Sequence, residues 1–228
     1  MIKRYARVGF QQATSRVPML WADRVMRNAV SAQRFEELSV AQEFGSRERL
    51  WKHLFTDILD PSAPVSYLEF GVFEGASINA IAGMNTHADS WFIGFDTFEG
   101  IDVDWITHDM RGFDRGGRLP NTSDDRITLV KGIFQDTLEP TMAGLTMHDQ
   151  VVVMLDADLY SSTLYALTRL DTHLDGYHAI FDEFHGGENL ALANYADSYQ
   201  AKVRLIGKAT GAATQVLATI DTHRSGAD

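Results

Sequence analysis

The chain of 228 residues is acidic, with 31 Asp and Glu against 20 Lys and Arg and a formal charge of −11. That balance argues against a broad nucleic-acid or anionic-membrane surface, both of which need clustered basic residues, and is compatible with a cationic ligand or a metal ion. It has no cysteine, which removes disulfides, zinc–thiolate sites and thiol nucleophiles, and no stretch approaches the roughly 18 apolar residues of a membrane span.

The length suits one large domain. Residues 1–5 are basic, but no apolar run of signal-peptide length follows them, so a cytoplasmic setting is expected. The first sixty residues lack strand alternation. Segments 34–38 and 47–55 mix charges with apolar residues at spacings of three and four, so residues 1–60 are expected to form a helical cap, lid or dimer contact. Whether the protein forms a homo-oligomer stays open. Asp60-Pro61-Ser62-Ala63-Pro64 ends that section.

From residue 61 onward, apolar strands alternate with helices. Strands are expected at 65–70, 91–96, 127–131, 151–156 and 177–182, with helices at 76–82, 163–170 and around 191–199. Two further strands, 203–207 and 215–220, are joined only by a short link, which suits an antiparallel hairpin at one edge. Nearly continuous apolar strands separated by helices indicate a mostly parallel sheet buried on both faces, an α/β fold of the Rossmann-like kind. The connection from 97 to 126, with Trp105, His108, Phe113 and Gly116-Gly117, is long enough to act as a lid.

In such a sheet ligands bind beyond the carboxyl ends of the strands. Those ends carry Glu69, Asp96, Asp156 and Asp182, followed by Glu183. Gly71 and Gly75 let the backbone turn tightly and approach a ligand closely. Asp96 is placed to accept hydrogen bonds from a ribose diol. Neither a dinucleotide fingerprint nor a phosphate-binding Gly-Lys-Ser/Thr motif is present, and an acidic loop start suits a cationic cofactor end such as a methionyl ammonium. Asp156, Asp182 and Glu183 would together make an oxygen-rich site for a hard divalent cation. The alternatives are that Asp158 caps the helix near Ser161 and that Glu183 is merely solvated. His178 lies within a strand and is expected to be packed, while His185 is placed to bind substrate, carry a proton or lie at the surface.

The chain resembles the macrocin O-methyltransferase family, class I methyltransferases acting on sugar hydroxyls of natural products. The resemblance spans 65–220 and is carried by LEFGVFEG (68–75), GFDTFEG (94–100), KGIFQDTL (131–138), LDADLY (155–160) and ATQV (213–216). It implies a seven-stranded sheet in the order 3-2-1-4-5-7-6 within a domain covering 61–228. S-Adenosylmethionine would lie across the first two strands, with Glu69, Gly71 and Gly75 on its methionyl side, Asp96 at the ribose and Gly132 to Asp136 near the adenine. Mg²⁺ would be held by Asp156, Asp182 and Glu183, with Asp158 as general base. The family usually has two adjacent aspartates where this chain has Asp182-Glu183. The implied partner is a small-molecule hydroxyl acceptor, with no nucleic acid and no membrane. A catechol-type or metal-independent methyltransferase, or a silent cofactor-binding module, are the rival readings.

Overall fold

The computed structural model describes residues 33–100, 113–184, 187–210 and 214–226, with Val25 and Ala29. All six residues of β2 (Val65–Phe70) are buried, as only a strand covered on both faces can be. It pairs in parallel with β3 (Trp91–Asp96) on one side and β5 (Gln150–Leu155) on the other. β4 (Ile127–Lys131) continues the sheet beyond β3, and β6 (Gly176–Phe181) beyond β5. The chain then runs through β7 (Lys202–Thr210) and β8 (Thr214–Asp221), and β8 inserts antiparallel between β6 and β7.

With β1 (Gln42–Phe44) the sheet has eight strands in the order β1-β7-β8-β6-β5-β2-β3-β4. Seven of them follow the expected order. Two expectations are corrected, and one element is added. The sheet has an eighth strand, because Gln42–Phe44 pairs in parallel with Gly207–Ala209 in a region expected to be helical. Three residues are too few to show a strand period. The antiparallel strand is also not at an edge: β8 is interior, flanked on both sides, and β1 forms that edge. Finally, a helix at Phe134–Met142 was not foreseen. Pro140 lies inside it, and Pro is a strong signal against helix.

Strand alternation divides the core into two layers. Leu68, Phe70, Ile93, Phe95, Val153 and Leu155 face one side. There they meet α3 (Phe134–Met142), α4 (Tyr160–Leu170) and α5 (Glu188–Tyr199) through Leu138, Leu167 and Leu192. Val65, Tyr67, Phe92, Val152, Met154 and Ile180 face the other. Covering them are α1 (Arg47–His53), with the π-helical turn Leu54–Ile58, and α2 (Ala76–Ala82), through Leu50, Trp51, Phe55, Ile78 and Ile81. Ser46 caps α1 by accepting from the Arg49 N–H.

The end of α2 is held by one side chain. All five N–H donors of Arg126 are used: two bond the Asp124 carboxylate, and the others bond the carbonyls of Ala82, Asn85 and His87. The guanidinium also lies 5.0 Å from the Phe92 ring centroid. We expect Arg126→Ala to destabilise the fold by about 2–4 kcal/mol, because it leaves several carbonyls and a carboxylate without their partner. Arg126→Lys should recover less than half, since an ammonium cannot reproduce the planar fork. Urea unfolding with an unchanged slope is the measurement.

Candidate functional site

The strand ends are joined so closely that one position must be glycine. Gly71 donates its N–H to the Phe95 carbonyl and Asp156 donates to that of Phe70, drawing the ends of β2, β3 and β5 together. Gly71 has φ +94°, and a Cβ there would lie 1.8 Å from the Asp156 carbonyl oxygen. The chain then turns through Val72 to Gly75, where the Gly75 N–H bonds the Val72 carbonyl and Gly75, at φ +76°, begins α2.

Asp96 shapes this turn from the end of β3. Its Oδ2 accepts from the N–H groups of Val72 and Phe73, each at 2.8 Å, and its Oδ1 from that of Phe98 at 2.7 Å. A carboxylate has about four acceptor positions, so one remains for a ligand. Asp96 therefore organises the loop as well as facing the cavity.

That cavity, of about 880 Å³, opens beyond the strand ends. Of the residues singled out in the sequence, Gly71, Asp96, Asp156, Asp158, Asp182 and Glu183 line it. Glu69, Gly75, Gly132 and Asp136 are not among the lining residues. Glu69 is fully buried behind the loop, where its carboxylate accepts from the Tyr67 hydroxyl and, at 2.7 Å, from that of Ser77. Gly132, at φ +145°, takes the chain from β4 into α3, so that Ile133, Phe134 and Gln135 form the wall. Asp136 is exposed in the first turn of α3. Phe73 and Phe113, edge to face at 5.3 Å, line the cavity as well.

Asp158 sits between β5 and α4 in a left-handed conformation, φ +56°. It centres a tight turn in which the Leu159 N–H bonds the Ala157 carbonyl. Such backbone is costly for a residue with a side chain and clusters at functional sites. Asp158 does not cap α4: the N-cap is Leu159, with no side-chain cap bond.

Four strand-end acids share one sheet face. Glu69, Asp96, Asp156 and Asp182 each lie two residues beyond a position on the α1/α2 side or its continuation: Tyr67, Gly94, Met154 and Ile180. Burial, then the charges of Asp182, Asp158 and Glu69, push the Asp156 carboxyl well above the ordinary range. Burial pushes Glu69 up to about 7, against the hydrogen bonds of Tyr67 and Ser77, with Asp182 and Asp96 adding to the rise. Glu188, at the start of α5, was not singled out in the sequence. An acid at a helix start is ordinary dipole pairing. Yet Glu188 is buried, and its carboxyl is raised by burial and by Asp156, Asp182 and Asp158. Its Oε2 accepts from the Glu183 N–H, while Oε1 has no hydrogen-bond partner among the described residues.

This all-oxygen set has the chemistry of a hard-cation site. Among the described residues, however, no three His, Asp or Glu side chains are gathered closely enough to hold an ion. His178 is half-buried, and burial lowers its basicity, which suits packing. His173 pairs with Glu139 at 3.1 Å. His185, Trp105 and His108 lie outside the described residues. No described helix is long and apolar enough to cross a membrane.

Residues 118–207, which include β4, β5, β6 and the carboxylates between them, match the sequence model of the macrocin O-methyltransferase family. Over this segment, 90 of its 228 residues, the chain is similar to that family. The protein is an S-adenosylmethionine-dependent O-methyltransferase. No curated protein matches the chain. Among solved structures it is similar to the O-methyltransferase NovP, at 21% identity and TM-score 0.53 over 75% of this chain and 78% of that one. An O-methyltransferase from Bacillus cereus in complex with SAH is 13% identical, with TM-score 0.50, over 97% of this chain and 100% of that one. TomG from Streptomyces achromogenes, in complex with SAM, is 16% identical, with TM-score 0.50, over 86% and 87%. At these identities the likeness is one of fold.

Glu69 has a measurable pH signature in this methyltransferase. Its folded carboxyl titrates near 7 against an ordinary 4.5. The stability it contributes is therefore fully present below about pH 4.5 and is lost as the pH rises through about 7. Glu69→Gln should flatten that part of the profile, so that its stability relative to the parent rises between pH 4.5 and 8. Urea unfolding of both proteins between pH 4.5 and 8.5 checks it.

Proposed function

We propose that this enzyme methylates a hydroxyl of a sugar or other natural-product small molecule, with Mg²⁺ assisting. The observation that carries the reading is the meeting of Asp156, Asp158 and Asp182 on the cavity that the Gly71 loop borders. The cofactor's methionyl end would lie against the Gly71–Gly75 loop and its ribose near the remaining acceptor position of Asp96. Its adenine would lie along the wall from Ile133 to Gln135, between Gly132 and Asp136. Glu69 would act on the methionyl side from behind the loop. We assign the methyltransferase domain to 61–228, with the described part of residues 1–60, from 33 onward, as its N-terminal cover; residues 101–112 of the connection expected to act as a lid lie outside the described residues.

The acceptor hydroxyl must lose its proton while its oxygen attacks the methyl carbon. Asp158 is the group we assign to take that proton. As the new C–O bond forms the C–S bond breaks, its electron pair returns to sulfur, and S-adenosylhomocysteine leaves. The cavity walls hold oxygen and methyl in line, which can be worth about 7–11 kcal/mol. Asp156, Asp182 and Glu183 are the residues that would hold Mg²⁺, drawn closer together than they stand here. Such an ion supplies Lewis-acid stabilisation of a developing alkoxide.

The test is methyl transfer from labelled cofactor, with Mg²⁺, to a panel of glycosides and catechols. Asp158→Asn keeps a residue that tolerates left-handed backbone and should lower turnover by about 10²-fold or more at unchanged S-adenosylhomocysteine affinity. Asp156→Ala should abolish transfer with cofactor binding retained. Full activity in excess EDTA would remove the Mg²⁺ step, and turnover of catechols alone would replace the sugar acceptor by an aromatic diol.

A further inference from the structure

One carboxylate of the site is held by a buried chain of hydrogen bonds that starts in the N-terminal section. The indole N–H of Trp51, on α1, donates to Gln215 Oε1 at 2.5 Å. The Gln215 amide nitrogen donates in turn to Asp182 Oδ1, also at 2.5 Å. Trp51 is 2% exposed and Gln215 3%.

The direction of this chain follows from chemistry. An indole nitrogen only donates, so the part of the Gln215 amide facing Trp51 must be its oxygen. The NH₂ group then points the other way, at Asp182. Register makes the contact direct: β6 and β8 pair Ile180 with Leu217 and Phe181 with Val216, so the next step sets Asp182 opposite Gln215. Ile180 and Leu217 face the α1 layer, and the strand period turns Asp182 and Gln215 to the same side. Arg47, one turn before Trp51, places its guanidinium 5.4 Å from the indole centroid and covers the far end of the relay.

We propose that Trp51 and Gln215 are positioning residues for Asp182. The indole fixes the amide, the amide clamps Oδ1, and Oδ2 is left as the oxygen that Asp182 offers to the cavity. The N-terminal section thereby sets the orientation of a group in the reaction site. This rests on the reading of Asp182 as a site residue given above.

Three variants separate the parts. Trp51→Phe keeps the aromatic bulk and removes the N–H. Gln215→Met keeps the length of the side chain but has no hydrogen to give Asp182. Asp182→Asn tests the underlying reading. Crystal structures of the first two should show the Asp182 carboxylate rotated from its parental orientation, with Gln215 turned over in Trp51→Phe. Methyl transfer to a panel acceptor should fall about 10- to 100-fold in Gln215→Met and by less in Trp51→Phe, in kcat, with the Kd for S-adenosylhomocysteine within twofold of the parent. An Asp182 carboxylate unmoved in both structures overturns the relay, whatever the activity. So does a loss of transfer that only tracks a matching loss of cofactor affinity and Tm. Full transfer by Asp182→Asn would instead remove Asp182 from the reaction, while the two crystal structures still decide whether it is held as proposed.

Discussion

Mutual repulsion of carboxylates at one end of one sheet face is the constraint around which this protein is arranged. Parallel register aligns the ends of β2, β3, β5 and β6, and the period of two turns Glu69, Asp96, Asp156 and Asp182 to the same side. Charges that close, partly removed from water, cannot all persist without protons, hydrogen bonds or a cation beside them.

The fold answers differently at each position. Asp96 is met by three backbone amides, and so becomes the pin that shapes the Gly71 loop. Glu69 is enclosed with two hydroxyl donors. Asp182 receives the Gln215 amide. For Asp156 and Glu188, burial and neighbouring negative charge favour the protonated form. The result is a cavity whose walls favour incoming positive charge. A sulfonium cofactor brings such charge, and so would a divalent cation.

Much of the architecture was legible because it rests on short-range patterns. The strands at 65–70, 91–96 and 127–131 and the helix at 76–82 lie where apolar runs and glycine punctuation indicate. The carboxylates facing the cavity were legible for a related reason, since they lie at or just beyond the ends of buried strands. Other features had no local signal. β1 is three residues long and exists only because β7 presents an edge to it. α3 contains a proline, and its buried Leu138 and Met142 override that preference. Glu188 and Gln215 are an acid at a helix start and an amide in a strand, neither unusual until packing buries them.

The sequence by itself determined the order of elements, the glycine loop and the acids at the strand ends, because hydrophobic period and turn chemistry are local properties of the chain. The tertiary structure decided which of those acids share a face, which face the cavity and which lie behind it. It also decided that Trp51, some 130 residues before Asp182, reaches that carboxylate through Gln215. Such contacts depend on strand register and layer packing, which no segment of sequence contains alone.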